Sequence, residues 1–476
     1  MLGVAVGKKA MWAHRAGTLA FSLLALVVAL SIGVLLEAKP AHAKTFTVNS
    51  TGDGADVALD GNCDADPRAF VNVCTLRAAI EEANNRIQNP GADTIMFSIP
   101  PTTGANCNAT TGVCTISPAS PLPHITEAVT LDGNTQRPCS NNPAPCSRPN
   151  TKAAGTNANL LIQLNGGNCN CDGGLRVKAS NSVVKGLVIN RFLGDGIAVG
   201  SATNDDDVFV SNTRVEGNFI GTNPAGTADL GNSEQGVYIE FGSEDTVGGT
   251  SLAARNLISG NGEYGIWTEV SGTKVLGNLI GTDRTGTKAL GNDLHGVFLD
   301  SSFETVGGET AASANVIAFN GQDGVAVDDS RGSAILRNSI FANGKLGIDL
   351  GDNGRTANDV GDADSGVNNH QNFPVISSAE TVGTVTTINA RLNSTPFTGF
   401  VVRFFSNPSN DNEGKRYLGQ MSVQTDENGN TGAFTFSPEQ RVGLGQRITA
   451  TATDPAGNTS EFSAPREVSG GVIGEP

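Results

Sequence analysis

Between residues 187 and 350 apolar residues come in twos and threes, set apart by Asn and Gly at recurring distances. The segment Asn218-Phe-Ile-Gly-Thr returns as Asn278-Leu-Ile-Gly-Thr, 60 residues on, and Gly231-Asn232…Gly236-Val237 returns at the same interval as Gly291-Asn292…Gly296-Val297. Inside that long period lies a shorter unit, N-x-I-x-x-N-G-x-x-G-[IV], over 256–266, 315–325 and 338–348. The lead Asn residues are 218, 256, 278, 315 and 338, with uninterrupted steps of 22 and 23 residues. The two Gly-Thr copies carry nine further residues between their paired Asn, which predicts a loop on alternate coils. Short strands at this spacing, with Gly at the corners and Asn stacked as a ladder, predict a parallel β-helix. A degenerate earlier coil runs from Leu187 through Gly196-Ile197.

Aligning the coils on Gly-[IV] fixes a register, because alternate residues of a strand point to opposite faces. The pairs Ile197/Val199, Val237/Ile239, Ile266/Thr268, Val297/Leu299, Val325/Val327 and Ile348/Leu350 are then inward and almost all apolar. The outward second positions are Ala198, Tyr238, Trp267, Phe298, Ala326 and Asp349, and the outward fourth positions are Gly200, Glu240, Glu269, Asp300, Asp328 and Gly351. Tyr238, Trp267 and Phe298 beside Glu240, Glu269, Asp300 and Asp328 predict a sugar-binding stripe. Aromatic faces stack on pyranose rings, while carboxylates accept hydroxyl hydrogen bonds or hold a bridging calcium. The competing expectation is that these rings only stabilise the sheet or lie under the loop insertions. Like charges on neighbouring rungs are expected to raise some carboxylate pKa values, so the same four carboxylates are the candidates for catalysis, with no role assigned. His295, one residue before Gly296, reads as a solvated turn residue.

The flanks differ. Residues 1–43 are expected to be a signal peptide: Lys8, Lys9 and Arg15 precede an apolar run, and Ala41-His42-Ala43 offers a small-x-small cleavage site. The alternative is an uncleaved anchor; no second apolar span follows. Residues 44–175 are expected to form an N-terminal cap and first coils, with one helix over 74–84 whose apolar face is Leu76, Ala79, Ile80 and Ala83. Residues 176–366 carry the β-helix repeats. Beyond them, 367–476 alternate apolar and polar residues over 384–392, 400–405, 432–436 and 446–453, the pattern of a small antiparallel sandwich.

All eight Cys lie between Cys63 and Cys171. Proximity ranks Cys63 with Cys74, Cys107 with Cys114 and Cys139 with Cys146, while Cys169 and Cys171 pair with each other or with other partners. Zinc spacing is absent, so disulfide staples and an oxidising compartment are the better reading.

The segment Cys74-Thr-Leu-Arg-Ala-Ala-Ile-Glu-Glu-Ala-Asn84 resembles the C-S-L-R-E-A-I box of bacterial CSLREA-domain proteins, with Thr75 for Ser and Ala78 for Glu. Thr47-Val-Asn-Ser-Thr-Gly-Asp53…Cys63-Asp64 is similar to what leads into that box. The coils resemble right-handed parallel β-helix repeats, and the tail, with Asn372-Phe-Pro-Val-Ile and Thr451-Ala-Thr-Asp-Pro-Ala-Gly-Asn, resembles a bacterial Ig-like module. The resemblance covers nearly all of 44–468. It implies an all-β protein, a right-handed parallel β-helix with a disulfide-stapled cap and an Ig-like β-sandwich, that is exported to act in the medium or at the cell surface. That family supplies no single reaction.

Composition narrows the function. Across 476 residues the formal net charge is −16, aromatics are 5% and Gly numbers 60. An acidic chain lacks the basic footprint of a nucleic-acid or anionic-membrane partner. The acidic, Gly-rich segment 349–366 is a candidate Ca2+ loop through Asp359, Asp362 and Asp364, since oxygen ligands around a sharp turn suit a hard cation; the alternative is a plain linker. Asp205-Asp206-Asp207 reads as a solvated loop. The function expected is binding of a polysaccharide or surface glycan, or adhesion. The alternative is a polysaccharide lyase or glycoside hydrolase, although the N-T-D…D-D…G-H-G…R-I-K series of polygalacturonases and the D-P-H-E box of uronan epimerases are missing.

Overall fold

Three parallel sheets of nine, eight and seven strands wind around one apolar core. This computed structural model describes residues 43–471 apart from 70–71, 86, 88–90, 101–105, 138, 140, 142–144 and 202–206. The leader expected over 1–43, save its last residue, and Asp205 and Asp206 of the acidic run therefore lie outside the described residues. The first sheet runs from Thr45–Val48 to Ala334–Ile335, the second from Cys114–Ile116 to Ser339–Phe341, and the third from Gly173–Val177 to Ile348–Leu350. The expected register holds: Tyr238 pairs with Trp267, Trp267 with Phe298, Phe298 with Ala326 and Ala326 with Asp349. Each residue expected inward is at most 2% exposed.

Two asparagine ladders run down the solenoid. In the first, the Asn218, Asn256, Asn278 and Asn315 side chains donate to the Oδ1 of the next rung's Asn at 3.3, 2.9, 3.1 and 3.0 Å, ending at Asn338. The second joins Asn232, Asn261, Asn292, Asn320 and Asn343 at 3.0, 2.9, 2.9 and 2.9 Å. In both, the backbone N–H of the same Asn donates to that Oδ1 as well. The amide suits the position because one carbonyl accepts twice while the NH2 still has a second hydrogen; for Asn278 it goes to the Val247 carbonyl at 2.9 Å. Gly in the Ile-Gly-Thr copies answers another demand. Gly221 has φ 86°, and a Cβ there would collide with the Ser259 carbonyl.

Both ends are closed. The helix Leu76–Ala83, capped by Thr75 Oγ1 accepting from the Ala78 N–H, packs its buried face on the strands Thr45–Val48 and Asp93–Phe97. Disulfides join Cys63–Cys74, Cys107–Cys114, Cys139–Cys146 and Cys169–Cys171. At the other end two four-stranded sheets form the sandwich, and it belongs to the same compact unit as the coils. It supplies partners to the last strand of each solenoid sheet. Ile335 N–H meets Thr459 Oγ1 at 3.1 Å, Ile340 and Gly414 exchange two backbone hydrogen bonds, and Leu350 N–H meets Glu461 Oε1 at 3.3 Å. Glu413 takes the place of the next ladder residue, accepting Asn343 N–H at 2.9 Å and Asn343 Nδ2 at 2.8 Å. The sequence pattern missed the sandwich strands Val375–Val382 and Arg416–Gln424. A register shift between Phe404 and Phe405 breaks the alternation of Arg416–Gln424.

One interior row is polar: Ser182, Thr213, Asp245, Thr273, Glu304 and Ser333, each immediately before a paired residue of the first sheet and at most 1% exposed. Burial pushes the Asp245 carboxyl up to about 7 and Glu304 well above the usual carboxylate range.

Two predictions follow from these rows. Asn278→Ala removes two donors and a double acceptor from a buried ladder, and is expected to lower unfolding free energy by about 3 kcal/mol in denaturant titrations. A loss below about 1 kcal/mol would show that the ladder is dispensable. Asp245 binds its proton more tightly folded than unfolded, so its contribution to stability is complete in acid and is lost as pH rises toward about 7. The melting temperature is expected to be higher at acidic than at mildly alkaline pH, and Asp245→Asn with Glu304→Gln to flatten that slope. An unchanged slope in the double variant would clear these two groups of the effect.

Candidate functional site

The third sheet's outer face carries five rings. Tyr238 stacks on Trp267 with centroids 4.8 Å apart and planes at 27°, and Phe298 follows at 6.0 Å from Trp267. Tyr264 and His295 join them: Tyr264 stacks on Phe298 at 5.1 Å and on His295 at 5.5 Å, and His295 lies 5.6 Å from Phe298. These two precede the anchors Gly265 and Gly296, so tracing only the positions after each Gly did not place them with the other rings.

Two expectations need correcting. His295 is not a solvated turn residue; it is 2% exposed, enclosed by its aromatic neighbours, and its Nδ1 accepts the Asp323 N–H at 3.1 Å. The rings also do not hold their faces out to solvent. Rungs about 4.8 Å apart put one ring against the next along the solenoid axis, so ring edges face outward. Trp267 is half-buried, and its Nε1 is enclosed without a hydrogen-bond partner. The outward residues Ala198, Ala326 and Asp349 are at most 3% exposed, so the half-exposed part of this column spans the rungs of Tyr238, Trp267 and Phe298.

The loop insertions do not form the roof over this face. Arg284, in the second insertion, binds the carbonyls of Thr156 and Ala158 and that of Ala225 in the first. Ala158 and Leu160 belong to a cluster with Val188, Phe219, Leu257 and Leu279, the outward residues of the second sheet.

The carboxylates beside the rings differ from one another. Glu240 forms an ion pair with Arg176. Glu269 is raised from the usual range by burial, with Glu240 adding repulsion and the Tyr238 hydroxyl opposing it through a hydrogen bond. Asp300 is pushed up to about 6, first by burial and then by the charges of Asp328, Glu269 and Asp329. Asp328 is exposed and accepts the Asp329 N–H at 3.0 Å. Burial thus leads where mutual repulsion was the expected cause. On the opposite margin stand Glu234, raised by burial and by Glu263, and Glu263, which accepts Gln235 Nε2 at 3.0 Å. At the head of the column the small Ala198 leaves a recess of about 50 Å³ lined by Leu122, His124, Arg176 and Asp195. Asp195 is 5% exposed, its Oδ1 has no hydrogen-bond partner, and burial pushes its carboxyl up to about 7.

Two groups of metal-type donors occur among the described residues, each with donor atoms within 4.8 Å of one another: His295, Asp323 and Asp352, and the expected Asp359, Asp362 and Asp364. In the second group Asp359 Oδ2 accepts the N–H of Ala363 and of Asp364, and Asp359 Oδ1 is buried without a hydrogen bond. Asp362 accepts from Asn372 N–H and Ser394 Oγ, both at 2.8 Å, tying the loop to the sandwich. No family model matches the chain, and no curated protein matches it.

Calcium is expected to raise the melting temperature by bridging Asp359 and Asp364 across this loop, and Asp359→Asn to abolish the gain. Identical calorimetric transitions in millimolar calcium and in chelator would remove the loop as a calcium site.

Proposed function

We propose that this is a secreted or cell-surface β-helix protein that binds a glycan along the aromatic and acidic outer face of its third sheet. The observation that carries the reading is the convergence there of five of the chain's few aromatic and imidazole rings with Glu269, Asp300 and Asp328, in register on successive rungs. Because ring edges face outward, a sugar chain lies across the edges, and hydroxyl bonds to the carboxylates hold it. The four disulfides accord with an oxidising compartment, and no helix among the described residues is long and apolar enough to cross a membrane. The CSLREA-like box around the helix supports an exported protein of that kind. A glycoside hydrolase is the second reading, favoured by Asp300: a carboxyl pushed up to about 6 beside further carboxylates is the kind of pairing that glycoside cleavage uses.

Trp267 is the only Trp of the described residues and sits inside the ring cluster, so its emission reports on the face directly. Titration with an oligosaccharide panel is expected to give a saturable change for at least one sugar class. Glu269→Gln is expected to weaken that binding more than tenfold, or about 1.4 kcal/mol. New reducing ends in the bound samples, lost in Asp300→Asn, would establish the hydrolase. If no sugar perturbs the emission and Glu269→Gln behaves as the parent on a glycan array, the face is only part of the wall.

A further inference from the structure

We infer that the glycan taken by this face carries free amino groups, with its ammonium centres seated among the carboxylates that border the rings. This rests on the glycan-binding reading and names the ligand class it would recognise.

The first ground is charge. Glu240, Glu269, Asp300 and Asp328 give one carboxylate per rung on one margin, and Glu234 and Glu263 stand on the other. The nearby cations are already engaged. Arg176 is paired with Glu240 at one end. At the other, Lys345 Nζ donates to Gln322 and stands 3.8 Å from Asp323 and 3.7 Å from Asp352. A chain of uronates or sulfated sugars would meet like charge along its whole length, which costs affinity at every rung. A neutral sugar would leave the mutual repulsion of Asp300, Asp328 and Glu269 as it is. An ammonium placed between them relieves it and also makes charge-assisted hydrogen bonds.

The second ground is a buried acceptor with nothing to accept. Asp195 is 5% exposed and lines the recess at the head of the column, yet its Oδ1 has no hydrogen-bond partner. A buried polar atom of this kind normally meets a donor. The third ground is periodicity. Carboxylates recur once per rung, every ~4.8 Å along the solenoid axis and on both margins of the ring column, so amino groups spaced along an extended chain can be met at several rungs.

The test compares glucosamine oligomers with free amines, the same oligomers N-acetylated, neutral glucose oligomers and oligogalacturonates, by calorimetry and Trp267 emission, at low and high salt. The free-amine oligomers are expected to bind about tenfold tighter than the acetylated ones, with the advantage shrinking at high salt. Asp300→Asn and Glu269→Gln, both near-isosteric and checked for folding by circular dichroism, are expected to weaken the free-amine oligomer more than the acetylated one and so to erase the advantage of the amine. If acetylated, neutral or uronate chains bind as well as the free-amine oligomers, the inference is overturned and glycan binding stands. If no sugar of any class binds, both fall.

Discussion

A parallel solenoid depends on one recurring transaction: each coil hands its backbone donors and acceptors to the next, and the series must be closed at both ends. Along most of the length the strand pairs do this, with the asparagine ladders covering the corners where the strands stop. Strands of two or three residues have few hydrogen bonds each, so the corners matter as much as the strands. At the last coil no further rung exists, and the sandwich provides imitations of one. Gly414 pairs with Ile340 as a strand would, and the Glu413 carboxylate accepts the two Asn343 donors that a sixth ladder Asn would have taken. The sandwich is therefore the closing rung of the solenoid as well as a β-module, which removes an edge that would otherwise invite aggregation.

The same stacking shapes the candidate site. A repeat position that holds an aromatic on consecutive coils brings the rings within a rung spacing of each other, and rings at that distance stack on one another before they stack on anything else. The result is a rigid wall with ring edges and carboxylates outward, quite different from an open aromatic platform. Stacking also brings like charges into register. Partial burial against the rings then does more than that repulsion to raise Glu269 and Asp300.

Much of this was legible in the residues. The inward set from Ile197 to Leu350 followed from strand alternation alone, because a one-residue slip would have put Asp and Glu into the core. The ladder followed from Asn spacing. The orientation of the rings did not, since a list of outward positions says nothing about side-chain torsions. Tyr264 was not placed in the stripe and His295 was read as a turn residue, because both lie before the corner Gly, where the strand pattern has not begun. Glu413 and Glu461 were illegible as capping residues: their partners Asn343 and Leu350 are far away in sequence, and nothing local marks a carboxylate that will be buried at an interface.

The three outer faces of the solenoid are not equivalent, and the contrast says why one of them is the place to look. The second sheet presents an apolar ridge of Val188, Phe219, Leu257 and Leu279, which the segment bearing Ala158 and Leu160 covers. The first presents alternating charges that pair locally, Lys185 with Asp132 and Lys274 with Glu244. Surface pairs of this kind are worth little individually but leave no net demand for a ligand. On the third sheet the rings are half-exposed, and Glu269, Asp300 and Asp328 form no ion pair among the described residues. The head of the column also keeps a buried acceptor without a donor. A stack built only for stability would pair its charges as the first sheet does or cover its rings as the second does, so the unmatched acidity of the third is what a ligand of opposite charge would complete.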